Sequence, residues 1–379
     1  MRSLLILFLP VAVLLSGHPG DDIVKEGVRA FYNYEFERSI QILNRVRRDY
    51  PENPIVHLTW VGARWKFNEA NSPSDDTYSF LSRDIDEVDS VYTGLLEKYP
   101  DHPEYMLYLG STRGLKARYL LGQKKWFSTL AAAFQGFQLI KHSAELDPEL
   151  KDACLPLGIL EYYAGLSNFF IKSAASLFGL EPSRFAGLEK MEMAADKSQW
   201  AWIEAKSVLS YIYLWMDADP YKGEKIAAEL AQEFPQNYDF QIHYIEGLLQ
   251  TNKIDQAEEL LRGMEAKLKL LTSRQQVLFS SALHYEWGHY YFITGNYKQS
   301  LVSLEHCISE YRSDLDAVLS FAFLRKGMIL DLQDNRKAAL SAYESCRKLD
   351  NFSQAIVLSQ KYLERPYTQA TILEKSNKP

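Results

Sequence analysis

The chain has 379 residues, of which 47% are hydrophobic and 24% are charged, proportions that are ordinary for a globular protein. Its formal net charge of −7 and the lack of any run of basic residues argue against nucleic-acid binding, which requires a basic face. The cysteines Cys154, Cys307 and Cys346 are odd in number and lie in helical patterns, so we expect small core residues and not a disulfide framework.

Residues 1–20 have the pattern of a secretory signal peptide. Arg2 supplies the positive charge, residues 3–15 form an apolar stretch, and small residues follow at Gly17 and Gly20. The apolar stretch is shorter than the roughly 20 residues that cross a bilayer, and no cysteine follows it directly for lipid attachment. The pattern predicts an exported protein, periplasmic or extracellular, without a transmembrane span in the mature chain; an uncleaved anchor is the alternative.

Pairs of helices are predicted by small residues that recur twelve positions apart on apolar faces. The spacing occurs in three places: Gly27 with Ser39, Gly288 with Ser300, and Gly327 with Ala339. Small residues at such positions let two antiparallel helices approach closely. The sequence therefore predicts helical hairpins at both ends of the chain.

Three consecutive units in the N-terminal and central parts of the chain are longer. The corresponding small residues lie 26 positions apart from Gly62 to Val88 and 26 apart from Gly110 to Gly136, and the third pair, at positions 158 and 187, is 29 apart. We interpret the excess as insertions between the two helices of each unit. Enlarged units are thus expected at about 52–200 and more regular units at about 204–351.

This arrangement resembles the tetratricopeptide repeat (TPR) superfamily over residues 22–362 and is similar to an uncharacterised group of exported bacterial TPR proteins. The resemblance implies an all-α fold, a TPR-like right-handed superhelix of antiparallel helix pairs with enlarged N-terminal and central repeats. The expected organisation is a signal peptide at 1–20, the solenoid at 21–362 and a C-terminal tail at 363–379.

The third insertion, 161–182, is the most apolar stretch after the signal peptide. A helix over 164–180 would be about 25 Å long, short of the ~30 Å hydrocarbon core, and would place Lys172 near its middle. A membrane span is therefore disfavoured. Burial between enlarged repeats and exposure as a patch for a partner, a lipid surface or an apolar ligand remain as alternatives. The apolar face of this insertion consists of Leu166, Phe169, Phe170, Leu177 and Phe178.

Catalytic and metal-binding motifs are not recognised in the sequence. The pair His284 and His289 is five residues apart, about 140° around a helix, whereas the i,i+4 zinc arrangement needs both rings on one face. No glycine-rich phosphate loop is present. We therefore predict no catalytic residues, no metal, no cofactor and no enzymatic activity.

In TPR proteins the first helix of each unit lines a concave groove that binds protein or peptide partners. The resemblance therefore implies an exported scaffold or adaptor with an apolar, aromatic groove, and envelope-lipid or apolar-ligand binding through 161–182 is the alternative function. Many of the same side chains could instead seal one repeat onto the next. The groove residues carried over in this way are Tyr162, Ile212, Trp215, Tyr285, His289, Phe292 and Met328.

Overall fold

The computed structural model describes residues 17–122, 125–167, 172–173, 176, 179–312, 316–349 and 351–368. Within these ranges the chain forms helices and turns and contains no strand. The predicted all-α class is confirmed for these ranges: successive helices pack against one another as antiparallel pairs.

The helices follow one another as pairs, each helix packing on the next, with a final unpaired helix; most pairs have short connections, and 167–183 separate α7 from α8. Their bounds are α1 Asp21–Tyr32, α2 Phe36–Asp49, α3 Val56–Asn71, α4 Ser74–Lys98, α5 Pro103–Gly122, α6 Trp126–Leu146, α7 Cys154–Leu166, α8 Arg184–Lys197, α9 Trp202–Tyr211, α10 Pro220–Glu233, α11 Tyr238–Gln250, α12 Ile254–Leu268, α13 Ser273–Ile293, α14 Tyr297–Glu310, α15 Ala317–Leu332, α16 Arg336–Arg347 and α17 Gln354–Glu364.

The twelve-residue spacing marks the points where paired helices cross. The buried Ser39 hydroxyl on α2 donates to the Gly27 carbonyl on α1 at 2.8 Å. The same contact joins Ser300 on α14 to the Gly288 carbonyl on α13 at 2.6 Å. A hydroxyl at this position therefore satisfies a buried carbonyl while the small side chain lets the two backbones approach.

The enlarged units keep this crossing at two of their three predicted positions. A Cβ added to Gly110 would lie 2.7 Å from the Gly136 carbonyl oxygen, and one added to Gly158 would lie 2.7 Å from the Gly187 carbonyl oxygen. The spacings of 26 and 29 are thus confirmed. The prediction for Gly62 is wrong, because a Cβ there would meet nothing within 4 Å. In the first two units the extra residues lengthen the helices themselves, so that α4 has 25 residues and α6 has 21. In the third unit α7 and α8 have 13 and 14 residues, and the extra residues lie between them.

The first helix pair also packs against the middle of the chain. The Tyr32 ring stacks on Phe240 at 6.0 Å between centroids, and the Asn237 side chain donates to the Tyr32 carbonyl at 2.9 Å. The Tyr34 hydroxyl donates to Asp239 at 2.8 Å. Residues more than two hundred positions apart therefore hold the end of α1 and the turn after it against the start of α11.

A wide helical turn at Ile212–Met216 ends α9. The Asp217 N–H donates to the Ile212 carbonyl at 2.8 Å, which is the i to i+5 bond of a π-turn. The Gln250 side chain on α11 donates to the Leu214 carbonyl at 2.9 Å. Side chains of neighbouring helices thus help to satisfy the backbone groups of this turn.

Two further observations bear on the sequence-based expectations. The three cysteines are free, with Cys307 and Cys346 buried and Cys154 half-buried, as the helical patterns predict. None of the helices in the described ranges is both long and apolar enough to cross a lipid bilayer.

Candidate partner-binding surface and interior ion network

Solvent-accessible side chains from several helix pairs meet on one side of the first helices. Arg118 on α5 places its guanidinium 5.2 Å from the centre of the Trp65 ring on α3. Charges of its own helix and of α11 act on the neighbouring Lys66. Burial disfavours its charged form, but the carboxylates of Glu69 on α3 and Asp239 on α11 outweigh this and raise its pKa above the usual value. Helices α3, α5 and α11 therefore contribute to one continuous surface.

The surface continues along α7 and α9 through two tyrosines. The Tyr163 hydroxyl donates to the Met216 sulfur at 3.6 Å, and its ring lies 6.3 Å from the ring of Phe352. Burial raises the pKa of Tyr163 and of Tyr211, so both phenols stay protonated and can donate hydrogen bonds at neutral pH. We call the inner surface the set Tyr34, Trp65, Lys66, Arg118, Tyr163, Tyr211 and Asp239.

A buried ion network is formed by side chains on the first helices of the later repeats. His289 on α13 lies with Nδ1 2.7 Å from Glu246 Oε2 on α11. Arg325 on α15 donates to the Tyr285 hydroxyl and lies 3.4 Å from Glu246 Oε1, and the Tyr285 hydroxyl is 3.2 Å from the same oxygen. The Glu246 side chain has 0% of its surface exposed and that of Arg325 has 8%. The network joins three successive first helices inside the protein.

A second carboxyl group, Glu286, shares this site, and its surroundings favour the protonated form. Burial, and then the adjacent Glu246 charge, raise the pKa of Glu286 well above its usual value. Burial also opposes the charge of Glu246, but His289 and Arg325 outweigh it, so the pKa of Glu246 falls below its usual value. The two pKa values are thus pushed apart, in the direction that favours a proton on Glu286 and a charge on Glu246.

Glu246, Glu286 and His289 bring three ligand-type atoms within 4.8 Å of one another, which is close enough for a metal site. The Arg325 guanidinium already lies on this set, with Nη2 2.8 Å from His289 Nε2 and 3.4 Å from Glu246. A metal cation would have to displace this guanidinium from the interior. The arrangement therefore fits an internal ion network better than a metal centre.

The structure places the predicted groove residues mostly in the interior. Tyr162, Ile212 and Tyr285 have 0% of their surface exposed. The same is nearly true of Trp215, at 1%, and of Met328, at 5%.

His289 belongs to the ion network, and Phe292 is half-buried against the main core. The tyrosines that do reach the inner surface are their chain neighbours: Tyr163 follows Tyr162 and Tyr211 precedes Ile212. In the sequence, each of these tyrosines is next to another aromatic or apolar residue, and this pattern does not indicate which of the two side chains faces the inner surface. Partner contact by the seven predicted residues stays a prediction.

For the predicted apolar insertion, the structure places only Leu166, which is half-buried and packs against the main core. Phe169, Phe170, Leu177 and Phe178 lie outside the described residues. Phe185, at the start of the next helix, is 80% exposed.

Comparison with known proteins finds similarity in architecture alone. The human IFIT1 dimer with m7Gppp-AAAA aligns over 96% of this chain and 88% of its own, with 12% identity and a TM-score of 0.45. A monomeric IFIT1 mutant with Gppp-AAAA aligns over 90% and 70%, with 14% identity and a TM-score of 0.43. Yeast Tom70 aligns over 95% and 99%, with 11% identity and a TM-score of 0.29. No protein-family profile and no curated protein sequence matches the chain.

Proposed function

We propose that this chain is a non-enzymatic, exported TPR scaffold that binds a protein partner through the inner surface. The observation that supports the proposal is that surface itself: accessible aromatic and charged side chains from α3, α5, α7, α9 and α11 lie on one side of the first helices. Aromatic residues and arginine are the residue types that contribute most to protein–protein binding energy.

The charges of the inner surface favour a protein partner over a nucleic acid. Lys66 and Arg118 lie near the carboxylates of Glu69 and Asp239, so positive and negative groups are mixed. The net charge of −7 adds to this argument, because phosphate binding requires a dominant positive field. A peptide segment that carries charges of both signs fits this surface.

The interior ion network supports a non-enzymatic role. A catalytic acid or base must reach a substrate atom within hydrogen-bond distance. Glu246 and Glu286 have 0% of their surface exposed, so their carboxyl oxygens are closed to a substrate. The network instead fixes the relative positions of α11, α13 and α15.

Of the seven groove residues predicted from the sequence, Tyr162, Ile212 and Trp215 enter the proposal as buried neighbours of the inner-surface tyrosines. Trp215 illustrates their part, because its ring packs 5.2 Å from the ring of Tyr211. Substitution of such residues is expected to weaken partner binding by moving the exposed side chains above them.

Photo-crosslinking in cells that naturally produce the protein tests the proposal. The crosslinking amino acid p-benzoylphenylalanine replaces Arg118 on the inner surface or Tyr221, which is 74% exposed on a second helix. We expect one specific protein to be labelled from position 118 and not from position 221. Equal labelling from both positions, or no labelling from position 118, would contradict the proposal.

A charge reversal on the same helix then separates binding from folding. Arg118→Glu is compared with Lys116→Glu, which makes the same change two positions earlier, where the lysine pairs with Asp86 on α4 at 2.7 Å. We expect Arg118→Glu to weaken binding of the crosslinked partner about tenfold or more, and Lys116→Glu to leave it unchanged. Equal effects would place the partner elsewhere.

The proposed export is tested separately by the mass of the protein isolated from producing cells. A cleaved signal peptide leaves a chain that begins near residue 18 or 21 in a compartment outside the cytoplasm. A full-length chain in the membrane fraction would instead support the uncleaved anchor.

Lipid or apolar-ligand binding near the 161–182 insertion is a second candidate, favoured by the exposed ring of Phe185. Flotation with phosphatidylglycerol-containing liposomes compares Phe185→Asp with Tyr221→Asp, a matched change at a similarly exposed ring. Loss of flotation in the first variant alone supports membrane contact, and equal flotation of both variants and the unchanged protein counts against it.

A further inference from the structure

Two histidines and a glutamate meet on the surface between α13 and α14, away from the buried network. His306 and Glu310 are four residues apart on α14 and therefore share a face, and His284 on α13 lies opposite them. The His284 Nδ1 atom lies 3.4 Å from Glu310 Oε2, and His306 Nδ1 lies 3.8 Å from Glu310 Oε1. The imidazole centroids are 5.1 Å apart, and the three ligand atoms all lie within 4.8 Å of one another.

These distances match the spacing of ligands around one small metal ion. Zn²⁺ binds histidine nitrogen and carboxylate oxygen at about 2.0–2.2 Å, so two ligands of a tetrahedral site are roughly 3.3 Å apart. The 3.4 Å between His284 Nδ1 and Glu310 Oε2 is already near this value, and His306 Nδ1 lies 3.8 Å from the other carboxylate oxygen, Oε1. Small rotations of exposed side chains would bring the two imidazoles together as well.

The surroundings of the three side chains suit a metal ion. The His284 Nδ1 atom is buried and has no hydrogen-bond partner among the described residues. The Ser280 hydroxyl on α13 donates to Glu310 Oε2 at 3.2 Å, which orients the carboxylate as an outer-shell group does in metal sites. Across the described ranges, Glu310 forms ion pairs with these two histidines and with no lysine or arginine.

We propose that His284, His306 and Glu310 form a Zn²⁺ site that links α13 to α14. Three protein ligands leave one position of a tetrahedral ion, and the exposure of the side chains, at 35%, 55% and 42%, opens that position to water. The site is independent of the proposed partner-binding surface. Its consequence is structural: a bound ion fastens the two helices whose crossing is also held by Gly288 and Ser300.

The test is titration of the full chain, freed of metal, with Zn²⁺ in a calorimeter, with Co²⁺ as a spectroscopic probe of the ligands. His306→Gln and Glu310→Gln each remove one ligand from an exposed position. The matched control is His142→Gln, because His142 also lies near a glutamate, with Nδ1 3.7 Å from Glu145 Oε2, but the described residues provide no third ligand there.

We expect one equivalent of Zn²⁺ to bind the unchanged protein and to raise its Tm, with reversal by a chelator. The two ligand variants are expected to bind about 100-fold more weakly, and the His142 variant to bind normally. The proposal is overturned if no equivalent binds, or if both ligand variants keep the affinity of the unchanged protein.

Discussion

Replacing Arg325 by leucine tests whether the interior ion network holds the later repeats together. The substitution keeps an apolar side chain of moderate size but removes the guanidinium that lies on Tyr285, His289 and Glu246. Glu246 then remains buried with less compensating charge. Breaking a buried ion pair from one side costs about 3–5 kcal/mol, because the other charge stays desolvated.

This cost converts to a measurable change in melting temperature. Unfolding entropies near 2.1 cal/mol/K per residue give about 0.8 kcal/mol/K for 379 residues. The Arg325→Leu variant is therefore expected to melt about 4–6 °C lower in differential scanning calorimetry. The control is Arg262→Leu, which breaks the Arg262–Glu258 pair at an exposed site and should cost less than about 1 kcal/mol.

A second substitution distinguishes an uncompensated charge from a simple packing defect. Glu246→Gln in the Arg325→Leu background removes the stranded carboxylate, so the double variant should be more stable than the sum of the two single changes predicts, by about 1–3 kcal/mol. Equal losses in Arg325→Leu and Arg262→Leu, or additive effects of the two interior changes, would refute the reasoning.

Two further predictions concern packing and pH. A Cβ at Gly187 would lie 2.5 Å from the Tyr162 backbone nitrogen, so Gly187→Ala should lower the free energy of unfolding by about 1–3 kcal/mol. A Cβ at Gly62 would lie in open space, so Gly62→Ala should raise it by up to about 1 kcal/mol. Urea unfolding measures both changes. Because the pKa of Glu286 is raised in the folded chain, its contribution to stability falls as pH rises above the usual carboxyl pKa, by up to about 1.4 kcal/mol per pH unit. The Glu286→Gln variant should lack this loss. Urea midpoints of the variant and the unchanged protein that change in parallel from pH 5 to 8 would contradict the prediction.

The helix pairs could be predicted because their contacts are local and leave a periodic trace. The Gly27–Ser39 spacing predicts a crossing that the serine–carbonyl hydrogen bond confirms. The longer offset from Gly110 to Gly136 also predicts its crossing correctly. At position 62 the glycine misled the alignment, because the small residue that is buried there is Ala63.

The inner surface is harder to predict because adjacent residues on a helix point about 100° apart. An error of one position exchanges a buried side chain for an accessible one, as Tyr162 and Tyr163 show. When both residues are aromatic, hydrophobicity does not distinguish them. Residue type alone therefore identifies the helix that contributes to the surface and not the side chain that reaches it.

The charged clusters are difficult to predict from the sequence, because each combines residues from different helices. Glu246 and Arg325 are 79 residues apart and meet only when three helix pairs are stacked. His284 is closer along the chain to His289, yet the hairpin brings it to His306. Such sites become visible only when the relative rotation of neighbouring helices is known.

The packing of the first helix pair against the middle of the chain sets an order of folding. Arg29 pairs with Glu233 at 2.5 Å, and the Tyr32 ring lies 5.6 Å from that of Phe234. Neither contact can form until some two hundred further residues have left the ribosome or crossed a membrane. Helix α1 thus completes its packing only after the middle of the chain is available, and a chain shortened before residue 233 would lack both contacts.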